Sequence, residues 1–136
     1  MYKKIHVFRV KPNKDLLESI EDYCKEEKIT SGVIIGMIGS LKKASINYLK
    51  SLPGNYVNRR YEGPMEIVCS QGSIAKFEDD VVIHIHLIID NEEEIRGGHL
   101  AEGSIVFSTA EVIIGELEDQ IIRKKNDYTG LMELSE

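Results

Sequence analysis

Three of the chain's four histidines lie close together in the sequence, at His84, His86 and His99. The first two belong to a run of β-branched residues, 81–90, that predicts a strand. Side chains two residues apart on a strand point to the same side, with Cα atoms roughly 6.5 to 7 Å apart. The rings of His84 and His86 can therefore converge on one point, where neutral imidazoles could bind a metal ion.

A predicted hairpin brings in the third histidine. If residues 91–94 form the loop, Asp90 pairs with Ile95, and His86 then faces His99. Facing Cβ atoms lie about 4.5 to 5.5 Å apart, which lets three ring nitrogens reach one ion at about 2.0 to 2.1 Å. The glycines at 97 and 98 permit a positive φ or a bulge beside His99. His84, His86 and His99 are therefore the predicted metal ligands.

Three imidazoles suit zinc, nickel, copper or iron, and zinc is the first expectation. Three protein ligands leave a fourth coordination position open, which would allow action on a small oxyacid or carbonyl compound. Glu66 and Glu111 are candidate acids or bases, and Arg96 is a candidate anion clamp, although surface or turn charges explain each of them as well. Asp90 should point to the same side of the strand as His84 and His86. It lies about 13 Å beyond His86, however, so a role in the turn is expected.

The remaining sequence predicts the elements that would position these residues. An opening strand, 2–10, directs Ile5 and Val7 to a core and leaves His6 facing solvent. Helical periodicity predicts one amphipathic helix from an N-cap at Asn13 to about Lys28. Further strands are predicted at 33–38, 44–49, 56–61, 65–69, 73–77, 81–90, 105–114 and 120–124. This pattern predicts an α+β domain, with a largely antiparallel sheet and one main helix packed on it.

Length and composition limit the class of protein. At 136 residues the chain is expected to form a single domain over 1–125, followed by a C-terminal tail, 126–136, that lacks a clear period. Two cysteines are too few for a disulfide framework. No apolar stretch reaches the length of a membrane span and the start does not resemble a secretory leader, so the cytoplasm is expected. A net charge of −6 disfavours binding to nucleic acid unless basic residues cluster.

Several short motifs carry a resemblance to a known family. They are Gly39-Ser40-Leu41, Gly63-Pro64-Met65-Glu66-Ile67, His84-Ile85-His86, Gly97-Gly98-His99-Leu100 and Thr109-Ala110-Glu111-Val112. Together they resemble the plants-and-prokaryotes conserved (PPC) domain, over about residues 4–115. The resemblance implies an α+β fold with a helix against an antiparallel sheet, and typically a homotrimer. Prokaryotic members often consist of this domain alone.

The resemblance also implies alternative functions. In plants the domain accompanies AT-hooks in nuclear DNA-binding proteins, but no Arg-Gly-Arg-Pro core of an AT-hook occurs here. The basic residues available for DNA are Lys42, Lys43, Lys50, Arg59, Arg60, Arg123, Lys124 and Lys125. The chain is also similar to the more distant acetolactate decarboxylase group, whose His-x-His pair and later histidine hold zinc. A third possibility is a trimeric protein-interaction module in which the metal only stiffens the hairpin.

Overall fold

A computed structural model describes residues 1–135, which form a strand-dominated fold. Within this range there are one helix and eight strands. The helix α1 spans Leu16–Glu26, and the strands are β1 Tyr2–Val10, β2 Gly32–Ser51, β3 Asn55–Phe77, β4 Asp80–Asp90, β5 Ile95–Leu100, β6 Ile105–Leu117, β7 Arg123–Lys125 and β8 Met132–Leu134. The prediction of one helix on a sheet is confirmed, although strands outweigh the helix more heavily than the α+β class suggests. Among residues 1–135, no helix has the length and apolar character needed to cross a bilayer.

Six strands form one antiparallel sheet in the order β1-β6-β2-β3-β4-β5. The far end of β2 also pairs with β5, through Ile46 opposite Leu100 and Asn47 opposite His99. The sheet therefore curls back on itself, and its inner side holds the core. The largest fully buried side chains are Leu16, Ile20, Ile29, Leu41, Ile46, Ile74, Ile85, Leu87, Ile89, Val106, Val112 and Ile114.

Strands β2 and β3 are longer than the sequence predicts. The predicted pieces 33–38 and 44–49 belong to β2, and 56–61, 65–69 and 73–77 belong to β3. Register shifts bend these strands without ending them, as between Gly39 and Leu41. Gly39 lies so close to β6 that a β-carbon there would be 2.1 Å from the carbonyl oxygen of Thr109. The close approach of β2 to β6 therefore requires glycine at position 39.

The helix begins two residues later than predicted. Asp15, not Asn13, is the N-cap, and its Oδ1 accepts a hydrogen bond from the backbone N–H of Glu18 at 3.0 Å. Its Oδ2 also accepts from the backbone N–H of Gly103 at 2.7 Å, which ties the helix start to the loop before β6. Asn13 has a φ of 67° and belongs to the preceding turn.

The inward and outward sides of β1 are opposite to those predicted. Ile5 and Val7 are 45% and 68% exposed, whereas His6 is buried. The Nε2 atom of His6 lies 2.9 Å from Oε2 of Glu116, and its Nδ1 lies 3.1 Å from the hydroxyl of Tyr23. Both faces of β1 carry apolar residues, so the alternation in the sequence does not identify the buried face. The helix covers the face that holds His6 and Phe8.

The C-terminal residues fold back against the sheet. Strands β7 and β8 pair as a small hairpin, and a bridge between Lys76 and Ile122 ties it to β3. The predicted tail 126–136 therefore contributes β8, while Glu136 lies outside the described residues. The side chain of Arg123 in β7 is buried, in contrast to the surface charge that the basic run 123–125 suggests.

Candidate metal centre

Strand β4 presents two histidines on the outer side of the sheet. Its alternate residues Ile85, Leu87 and Ile89 are buried in the core, so His84 and His86 point the other way. The burial of alternate residues of β4 in the core thus determines the side of the sheet on which the two histidines lie.

The β4–β5 hairpin has the predicted register. Asp90 pairs with Ile95 and His86 with His99. The turn is held locally, since Oδ1 of Asp90 accepts from the backbone N–H of Glu92 at 2.7 Å. At Gly98 the φ is 154°, and a β-carbon would lie 2.7 Å from the Ile46 side chain. Glycine there lets β5 approach β2 and so sets the position of His99.

The three rings converge closely enough to share an ion. The Nε2 atom of His84 lies 3.0 Å from Nε2 of His86 and 3.1 Å from Nδ1 of His99. One ring nitrogen from each residue lies within 4.8 Å of the other two. Two nitrogens bound to a tetrahedral ion at about 2.05 Å would be about 3.3 Å apart. The donor type and the spacing therefore fit a first-row transition metal.

The surroundings favour the neutral form of two of these rings. Burial lowers the pKa of His84 to about 4, with smaller contributions from His86, His99 and Arg123. Burial, followed by the proximity of His86, also lowers the pKa of His99. Neutral imidazole is the form that binds metals, so protons compete little for His84 at neutral pH.

Residues that the sequence did not assign to the metal site surround the histidines. The edge of the Tyr56 ring meets His99, with 5.2 Å between ring centroids. Asn47 pairs with His99 across the β2–β5 contact. Arg123 donates through Nη2 to Ser73 Oγ at 2.8 Å and lies 3.5 Å from Nδ1 of His84. No local sequence signal marks these three, because long-range pairing and the C-terminal hairpin bring them to the site.

The candidate acid, base and anion residues do not join this group. Arg96 pairs with Glu94 and lies over the ring of Tyr61. Glu66 faces Asp90, four residues beyond His86 and so about 13 Å along β4. Among the described residues, the metal-ligand group comprises the three histidines alone.

Glu111 is further from the histidines. It pairs with Ile38 on β2, whereas His99 pairs with Asn47 on the same strand. These two positions on β2 are nine residues apart, which corresponds to about 30 Å along a strand.

A family model described as the Plants and Prokaryotes Conserved (PCC) domain matches residues 2–118. The chain belongs to this family. The resemblance inferred from the glycine and histidine motifs is thereby confirmed.

Solved structures of similar proteins share the whole PCC fold. The metal-containing protein AF0104 from Archaeoglobus fulgidus is 26% identical, with a TM-score of 0.89 over 100% of this chain and 96% of that one. A PPC protein from Pyrococcus horikoshii is 28% identical, with a TM-score of 0.88 over 100% and 94% of the two chains.

The PCC chain also matches part of a longer protein. It is 27% identical to a bifunctional protein GlmU from Synechococcus sp. (strain JA-3-3Ab), over 96% of this chain. It spans 20% of the length of that relative.

The predicted likeness to acetolactate decarboxylases is present at the level of fold. A Staphylococcus aureus protein described as similar to alpha-acetolactate decarboxylase superposes with a TM-score of 0.56 and 15% identity. The match covers 87% of this chain and 53% of that one.

Proposed function

We propose that this PCC-domain protein binds a transition-metal ion, zinc as the first expectation, through His84, His86 and His99. Held by these residues, such an ion would supply Lewis acidity for a reaction of a small oxyacid or carbonyl compound. The observation that carries the proposal is the convergence of three ring nitrogens, with separations of 3.0 and 3.1 Å from His84 Nε2. The metal-containing relative from Archaeoglobus fulgidus supports metal binding on this fold.

An open coordination position is the basis for chemistry rather than a purely structural role. The three histidines complete only part of a tetrahedral shell, and His86 is exposed to solvent. A zinc ion held in this way would supply Lewis acidity toward an oxygen atom of the ligand. The chain's own contribution is to lower the pKa of His84 and His99 and to hold all three rings on two paired strands.

A homotrimer is part of the same proposal. Val7 and Ile38 are 68% and 64% exposed, and Ile5 and Ile35 are each 45% exposed. Val7 pairs with Ile113 of β6, and β6 in turn pairs with β2, so these exposed side chains lie on the two strands that flank β6. Exposed apolar side chains of this kind favour an interaction site, which a further copy of the chain would cover.

The test is metal analysis of untagged protein together with His86→Ala. Gln71→Ala is the matched control, because Gln71 lies on β3 directly opposite His86 of β4 and is also exposed. The wild type and Q71A should bind one ion per chain, whereas H86A should lose at least about tenfold in metal affinity and stay folded. Unfolding of H86A would favour the structural-metal alternative, and equal affinity in all three proteins would contradict the assignment.

A further inference from the structure

A small cleft adjoins the three histidines, between the sheet and the C-terminal hairpin. It has a volume of about 220 Å³; its polar lining residues are His84, His99, Asn47, Tyr56 and Arg123, and the rest of its lining is apolar. Pockets for drug-sized ligands range from about 300 to 1,000 Å³, so this cleft suits a smaller molecule. Its position places such a molecule beside the proposed metal ion.

Arg123 brings a buried positive charge to this cleft. The residue is only 7% exposed. Its Nη1 donates to the carbonyl oxygen of Met132 at 2.7 Å and its Nη2 to Ser73 Oγ at 2.8 Å. Within residues 1–135 its Nε has no hydrogen-bond partner, and its guanidinium forms no ion pair. A buried cation without a counter-charge is costly, so an anion in the cleft would offset that cost.

The other polar groups of the cleft can also donate hydrogen bonds. Oδ1 of Asn47 already accepts from Asn58 at 2.8 Å, which leaves its amide N–H groups as donors. Tyr56 contributes a phenolic hydroxyl. No aspartate or glutamate is among the residues that line the cleft. The polar part of the lining therefore suits an anionic ligand.

We infer that this cleft binds the carboxylate group of a small ligand. Arg123 is the principal contact, and Asn47 and Tyr56 are further donors. A guanidinium suits this role because its planar N–H groups match a carboxylate. The inference rests on the proposed function for the metal ion that would adjoin the ligand, and it assigns the anion contact to Arg123 rather than to Arg96.

Metal binding would strengthen this anion site. The guanidinium of Arg123 can only donate, so its 3.5 Å contact requires Nδ1 of His84 to accept. A neutral His84 that binds metal through Nε2 carries its proton on Nδ1, and Arg123 then loses this acceptor. A carboxylate would replace it, and the ion's charge would add to the attraction.

The experiment compares glycolate with glycolamide, a neutral analogue of nearly the same shape. Each is titrated into zinc-loaded protein by calorimetry, and the Nε–H resonance of Arg123 is followed by ¹H–¹⁵N NMR. The variants are Arg123→Gln and Tyr56→Phe, and the control is Lys124→Gln, which changes an exposed charge on the same hairpin. Zinc affinity is measured separately for every protein.

Glycolate should bind at least tenfold more tightly than glycolamide and should shift the Arg123 Nε–H resonance. R123Q should weaken glycolate binding at least tenfold, Y56F should weaken it severalfold, and K124Q should match the wild type. Should R123Q fail to fold, Y56F and the NMR shift decide the question. Equal binding of the two ligands, or wild-type glycolate affinity in folded R123Q, would overturn the inference.

Failure of the metal proposal would be visible as absent zinc binding in the wild type. In that case glycolate is titrated into the metal-free protein. A shift of the Arg123 resonance that is lost in R123Q would support the anion site alone, and no shift would overturn it.

Discussion

At the scale of single residues, His6 and His84 show two different uses of a histidine. His6 directs both ring nitrogens to protein partners, with Glu116 on one side and Tyr23 on the other. His84 instead turns Nε2 toward the nitrogens of His86 and His99. The partners of His6 complete its hydrogen bonds without a ligand, whereas the three converging nitrogens form a donor set for a metal ion. His6 is therefore a structural residue.

Replacing Glu116 with glutamine should lower stability by about 1 to 2 kcal/mol at neutral pH, because it removes a charge-assisted hydrogen-bond acceptor. The hydrogen bond with His6 lowers the pKa of Glu116, and the contact with Lys3 acts in the same direction. A lowered folded-state pKa contributes stability that is fully present above the unfolded-state pKa and is lost as pH falls through the folded-state value. Urea unfolding of the wild type and E116Q should thus converge in acid.

The convergence of the two unfolding free energies in acid distinguishes this charge effect from a simple packing change. A packing defect in E116Q would leave the stability difference the same at about pH 7 and about pH 3. A pH-independent difference would therefore contradict the assigned role of Glu116.

The convergence of the three histidines was predictable from the sequence, whereas the residues around them were not. His84 and His86 are two residues apart on one strand, and a short local hairpin supplies His99. Arg123 reaches the site only because the chain returns to β3 after β6, and no local pattern encodes that return. The burial of His6 was missed because apolar residues occupy both sides of β1.

At the scale of elements, Gly98 connects the β4–β5 hairpin to β2. A β-carbon there would lie 2.7 Å from the Ile46 side chain and 3.0 Å from the carbonyl oxygen of Asn47. The residue also has a φ of 154°, which L side chains rarely adopt. Small size at this position is therefore what allows β5 to pair with both β4 and β2.

Gly98→Ala should displace His99 and weaken metal binding at least tenfold, with a stability cost of about 1 to 3 kcal/mol from backbone strain. Gly36→Ala is the control, because a β-carbon at Gly36 meets nothing within 4 Å. Zinc titration and thermal unfolding of both variants provide the measurements. Unchanged zinc affinity in G98A would show that the β2–β5 contact does not position His99.

Elements held by local contacts were predicted more accurately than elements held by pairing between distant strands. The β4–β5 hairpin depends on a short loop between strands that are adjacent in the sequence, and its register was predicted correctly. Strands β2 and β3 contain glycines and register shifts that resemble strand ends in the sequence. Only the pairing with distant strands shows that β2 and β3 continue through these glycines and register shifts.

At the scale of the whole molecule, the exposed apolar side chains of β1 and β2 are the basis of the proposed homotrimer. Val7→Glu should convert a trimer into smaller species, because it places a charge in a surface that another copy would cover. Lys11→Glu, at an exposed residue just beyond the end of β1, is the control for a change of charge. Light scattering after size-exclusion chromatography measures both variants. A V7E protein with the wild-type mass would place the interface elsewhere.

The overall charge predicts the response to DNA. With a net charge of −6, the protein should show no binding to a labelled duplex even at low salt. Fluorescence anisotropy provides the measurement. Binding that weakens steeply with added salt would instead support the DNA-binding alternative that the family resemblance implies.

The most direct test of the metal centre is a crystal structure of untagged, zinc-loaded protein with anomalous data on both sides of the zinc edge. The account predicts one strong anomalous peak at about 2.0 to 2.1 Å from a ring nitrogen of each of His84, His86 and His99. A map without a peak at these rings, or with zinc bound only at other residues, would contradict it.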